Sequence, residues 1–166
     1  MLEAAIFQLC VFVGYVAFVW MRYGVLYSIS ESWYRLKSKN KWMFVAFCML
    51  LSFPMFFHSM DFNMDMANNG DYTGLFFVSM LMGLTGVAAA FKRGGNVNAF
   101  HFTGVIFGAG GAILGLGLQY GIWFPLLLSV IWFAVVMFTE KIENIVWWIE
   151  IGVFTSIMAG ILTLYV

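Results

Sequence analysis

Six predominantly apolar stretches, 4–23, 42–60, 72–91, 102–118, 122–139 and 145–166, divide the chain. A hydrocarbon core of roughly 30 Å takes about 20 helical residues, and these runs meet or approach that length. Their apolar residues run continuously, whereas the strands of a membrane barrel alternate lipid-facing and lumen-facing positions. The pattern therefore predicts an all-α integral membrane protein: a single transmembrane helical domain over 1–166, built as a bundle of about six spans. The fourth and fifth are separated only by Gln119, Tyr120 and Gly121, which predicts a tight pair that need not cross fully.

Charge gives the spans a direction. All eight basic residues lie in or beside three of the connections: Arg22, Arg35, Lys37, Lys39 and Lys41 in the first, Lys92 and Arg93 in the third, Lys141 in the fifth. Cytoplasmic loops are enriched in Lys and Arg, so both termini are expected on the non-cytoplasmic side, together with the loop carrying Asp61, Asp65 and Asp71. Trp20, Trp42, Trp147 and Trp148 then fall at the inner boundary and Tyr72, Tyr120 and Trp123 at the outer one, where amphipathic rings form belts. Glu3 stands where a signal peptide would carry basic residues, and no small-residue cleavage site follows, so the first helix is expected to be retained.

With 63% of residues apolar and 10% charged, composition agrees with the membrane class. Eight Lys and Arg balance eight Asp and Glu, which removes the concentrated positive excess that nucleic-acid binding needs. The expected partners are the bilayer and either further copies of the chain or the other subunits of a larger membrane complex. Cys10 and Cys48 both lie within predicted spans, which gives neither a metal spacing nor a disulfide framework.

The longest connection, 24–41, contains Ser28 followed three residues later by Glu31, the form of a capping box. Ile29, Trp33 and Leu36 share a face beyond it. With Arg35, Lys37 and Lys39 nearby, this predicts a short amphipathic helix at the inner interface, attracted to anionic lipid. No base stands at nucleophile-activating spacing from its serines.

Two stripes of small residues follow. Ser79, Gly83, Gly86 and Ala90 share one face of the third span, and Gly104, Gly108, Gly111 and Gly115 one face of the fourth. In lipid no hydrophobic force joins helices, so small residues that permit close backbones are the expected contact; a self-association face is the alternative. Gly117, Gly121, Gly152, Ser156 and Gly160 leave further small surface for either use. Pro54 is expected to kink the second span, and Pro125 suits the first turn of the fifth.

Chemistry signals are sparse. His58 and His101 are the only histidines, placed at opposite faces by this topology and about 30 Å apart if both helices span, so no shared metal and no cofactor is expected. Ser52, His58 and Asp61 are similar in type to residues of the alkaline ceramidase and progestin-receptor-like hydrolases, but the closing pair of histidines and the Ser-to-His spacing are absent. Asp61, Asn63 and Asp65 match the first ligand positions of a calcium loop, yet Met66 replaces its turn glycine and no Glu closes it. Glu150 is the one ionisable residue clearly inside a span, about five residues or 8 Å from the inner end. An intramembrane carboxylate turns toward a partner, and Arg22, His101 and Lys141 are the partners expected by depth.

The stretch Tyr23-Gly24-Val25-Leu26-Tyr27-Ser28-Ile29-Ser30-Glu31-Ser32-Trp33-Tyr34 resembles a segment of uncharacterised bacterial and phage-encoded small multi-helix membrane proteins. There too it follows the first span, and a histidine opening a later helix resembles His101. The resemblance implies a bacterial inner membrane and carries no activity. The sequence thus points to a non-enzymatic structural or accessory component of a membrane assembly, with an oligomeric pore or small-molecule or ion transporter as one alternative and a lipid-directed metal hydrolase as another.

Overall fold

A computed structural model describes residues 2–54, 74–90, 96–139 and 142–166, and for 85–90, 96–100 and 142 the backbone only. His58, Asp61 and Asp65, with the acidic loop that carries them, lie outside the described residues, as does Lys141. Among the described residues the chain is all-helical: α1 (Leu2–Tyr23), α2 (Ser32–Arg35), α3 (Trp42–Ser52), α4 (Gly74–Ala90), α5 (Asn96–Tyr120), α6 (Phe124–Thr139) and α7 (Ile145–Thr163), with short 3₁₀ turns between some of them. Three segments are long and apolar enough to cross a membrane, namely Leu2–Tyr23, His101–Tyr120 and Ile145–Thr163. At 16 residues, α6 would rise about 24 Å, somewhat short of a full span.

Glycine closes two of the long helices. Gly24 and Gly121 have φ of 75° and 70°, the left-handed region that a Cβ disfavours. Each donates its N–H to the carbonyl four residues back, Gly24 to Trp20 and Gly121 to Gly117, both at 2.9 Å. That is the left-handed C-cap, and it turns the chain sharply out of α1 and α5. Gly121→Ala is expected to cost about 1–2 kcal/mol for the left-handed backbone alone. In contrast, Gly110→Ala, with open space around the added Cβ, should be neutral or stabilising through helix propensity. Thermal melting of the two variants in detergent checks the contrast.

The interior divides into two apolar clusters that share α1 and α7. One joins Phe12, Tyr15 and Val19 of α1 to Phe44 and Phe47 of α3 and Trp147 of α7, and takes in Leu26, Ile29 and Leu36 of the first connection. Within it Tyr15 and Phe47 stack at 4.1 Å. The other joins Ala5 of α1 to Phe76 of α4, Leu116 of α5, and Ile157 and Ile161 of α7. Phe12 also meets Phe154 of α7 in the first cluster, with ring centroids 5.6 Å apart. Early α1 thus packs beside late α7, and the two helices run antiparallel.

Small residues lie where backbones come together. A Cβ on Gly108 would stand 3.2 Å from the Gly83 nitrogen, one on Gly111 would stand 3.1 Å from the Leu75 carbonyl oxygen, and one on Gly115 would stand 3.0 Å from the Phe76 ring. The Ser79 hydroxyl donates to the Gly108 carbonyl across the same seam. Gly104 is buried as well, and Gly86 lies in the part of α4 described as backbone.

Of the glycines read as spare surface, Gly121 stays open and the other three are occupied. Trp123 covers Gly117, Trp132 covers Gly152, and Pro125 and Leu116 cover Gly160. Ser129 and Ser156 bond at 2.7 Å between the last two positions. Pro125, Ser129 and Trp132 ascending α6 therefore meet Gly160, Ser156 and Gly152 descending α7, one antiparallel seam in which large residues fill the space that small ones leave.

Candidate functional site

The first connection does not simply rest on the outside of the bundle. Ser28 caps a 3₁₀ turn, Ile29–Glu31, its Oγ accepting the Glu31 N–H at 3.2 Å. The Glu31 carboxylate also pairs with Arg35, 3.6 Å away. The amphipathic helix shrinks to the single turn of α2, and Ile29 and Leu36 are buried with Trp33 packed beside them. Lys41 lies 4.5 Å over the Trp33 ring.

What draws the connection inward is its alternate serines. Ser28 and Ser30 bond to each other at 2.9 Å, Ser30 to His101 Nε2 at 2.9 Å, and Ser32 to the Tyr15 hydroxyl at 2.6 Å. Hydroxyls at positions 28, 30 and 32 thus tie the connection to itself, to α5 and to α1. From the other side comes α7: the Ile29 N–H donates to Glu150 Oε2 at 2.6 Å. An N–H at the start of a short helix has no partner within the helix, and a carboxylate is a strong acceptor for it.

This corrects the expected pairing of Glu150. Its hydrogen bond is to a backbone N–H rather than to a cation, and Arg22 is exposed. The physical reason is reach: the connection folds back far enough to bring an unpaired N–H to the carboxylate.

Glu150, His101 and Ser30 border a half-enclosed chamber of about 110 Å³ between α3, α4, α5 and α7. Ser52 and Ser79 also line it, but its walls are mainly apolar, with Phe44, Phe47 and Phe154 the largest. The structure therefore brings together Glu150, His101, Ser79, Gly83 and Gly108 of the residues singled out in the sequence. Gly104, Gly111 and Gly115 do not line it. Cys48 borders it also, as a buried thiol.

Ser30 beside His101 has the contact distance of a nucleophile and its base. The N–H groups flanking Ser30 are nevertheless engaged, Ile29 by Glu150 and Glu31 by Ser28. Neither is left to stabilise a developing oxyanion, which is the larger part of acyl-transfer catalysis. The Ser30–His101 bond joins the connection to α5. Among the described residues no three His, Cys, Asp or Glu side chains group to hold a metal ion.

No family model, curated protein or solved structure matches the chain.

Two contributors escaped the sequence reading. Gln8, fully buried in α1, donates Nε2 to the Leu51 carbonyl at 2.8 Å. The signal was a single amide near the start of an otherwise apolar span, a group that needs a buried acceptor. Tyr15 is the other: its hydroxyl meets Ser32, and a buried phenol in an apolar stretch is itself the signal that such a partner exists.

Proposed function

We propose that the chain is a polytopic integral membrane protein with six bilayer-crossing helices, serving as a non-enzymatic structural or accessory component of a membrane assembly. The observation that carries this reading is how the polar groups are used. The hydroxyls of Ser30, Ser32 and Ser129, the amide of Gln8 and one oxygen of Glu150 join segments to each other. Outside, α6 presents Leu127, Val130, Ile131 and Phe138, each at least half exposed, as a lipid-facing helix does. In this arrangement both termini face away from the cytoplasm and the basic connections face toward it.

Single cysteines at Asn68 and Asn98, with Cys10 and Cys48 replaced, are expected to label from opposite sides of the membrane. Equal labelling of both by an impermeant reagent from outside overturns the topology. Membership of an assembly is tested by what co-purifies in mild detergent and by the size of the purified particle: a bare monomer with no companion contradicts it.

One observation favours a second reading, that of a small-molecule or ion transporter. A chamber containing an acid and a histidine lies among the helices, and an ionisable group within a span marks a pathway more often than chance placement would. Flux into liposomes that falls in Glu150→Gln while particle size is unchanged distinguishes transport from the accessory role.

A further inference from the structure

We infer that the chamber beside Glu150 is a binding site for an organic ammonium ion carrying a short apolar chain. This rests on the chamber itself and is independent of the accessory role.

Glu150 is 9% exposed, and its single hydrogen bond is the one from the Ile29 N–H to Oε2. No buried side-chain oxygen among the described residues is without a partner, so Oε1 keeps an accessible face, and the open space that Glu150 borders is the chamber. A carboxylate held in this way has a donor but no countercharge. A buried charge of this kind is costly unless a cation or further donors meet it. Among the described residues the chamber lining contains neither Lys nor Arg, and its one basic side chain, His101, is bonded to Ser30 rather than to the carboxylate, so the cation is left for a ligand to supply.

The walls specify which cation. Phe44, Phe47 and Phe154 border the same space, and aromatic faces attract ammonium groups through their negative quadrupole, most strongly where water is excluded. A hydrated metal ion would gain nothing from three phenyl rings and would find only one carboxylate. Leu51, Val105 and Ile157 continue the lining with apolar surface, which suits an alkyl chain on the nitrogen. The volume of about 110 Å³ is somewhat below the roughly 150 Å³ cavity known to take benzene. That sets the ligand near four carbons and is too small for a diacyl lipid, although the ethanolamine head of such a lipid carries the same ammonium chemistry.

The probe is n-butylammonium, with n-butanol as its neutral counterpart and vesicles rich in ethanolamine phospholipid as the alternative source. Ligand that binds only the folded state raises the melting temperature with concentration. Wild-type protein in detergent is expected to be stabilised by butylammonium and not by butanol. Titration calorimetry is expected to show affinity at least tenfold weaker in Glu150→Gln, which keeps an acceptor for Ile29, and about fivefold weaker in Phe154→Leu. In a Cys10→Ser background, butylammonium is expected to slow alkylation of Cys48 by a small reagent, a readout that needs no change at Glu150. Suppression of both effects in ethanolamine-lipid vesicles, but not in choline-lipid vesicles, assigns the ammonium to a lipid head; persistence in both assigns it to a free amine. Equal responses to butylammonium and butanol, or unchanged affinity in folded Glu150→Gln, overturn the proposal.

Discussion

Gly152→Ala is expected to lower the melting temperature of the solubilised protein by roughly 5–10 °C, from about 2–3 kcal/mol of overpacking. The added methyl would fall within the space of the Trp132 indole. That ring cannot easily move aside, since its Nε1 donates to the Trp148 carbonyl at 2.6 Å, one turn back along α7. Helix propensity works in the opposite direction, favouring Ala over Gly by about 1 kcal/mol, so a net loss identifies the clash as the larger effect. The control is Trp132→Leu, which opens a cavity that the methyl partly fills. The double variant should therefore lose less than the sum of the single losses. Strict additivity would mean that the α6–α7 seam is looser than described.

A second large effect is expected at Glu150, where the choice of replacement matters more than the loss of charge. Glu150→Leu removes the only acceptor of the Ile29 N–H and leaves that group buried and unsatisfied, at a cost of about 1–3 kcal/mol. Because Ile29 sits between Ser28 and Ser30, the whole connection is expected to loosen, and trypsin should cut faster at Arg35 and Lys37. Glu150→Gln retains a carbonyl oxygen for the same N–H and should melt close to wild type. Had the carboxylate been held by Arg or Lys, Gln would have been nearly as damaging as Leu. Matching protease resistance in the Leu variant and the wild type would show that the connection is held by its serines alone.

The helices were legible because their signal is local. Long apolar runs, with Gly24 and Gly121 at the ends of two of them, mark elements without reference to anything distant. The chamber was not legible, because it is made by a segment whose polarity suggested the outside. Ser28, Ser30 and Ser32 alternate with Ile29 and Glu31, and such a stretch beside five basic residues fits an interfacial helix. Burial was decided by partners 17 to 121 residues away, in Tyr15, His101 and Glu150, which no short window contains. Glu150 was identifiable as an outlier in its span, whereas the group it bonds, a backbone N–H, has no sequence signature. The small-residue pattern announced close approach, but which bulky residue fills each gap follows from how α6 is registered against α7.

The bond between Ile29 and Glu150 also sets an order of events. Its two ends are 121 residues apart, so at ribosomal rates of about 5–20 residues per second the connection waits roughly 6–24 s for its acceptor to be made. Until α7 arrives, α1 to α6 exist with an unlatched connection and a chamber that lacks one wall. The last helix is thus the keystone of the first connection. A ribosome that stops before α7 releases most of the chain, every helix but one, with the connection made and its latch missing.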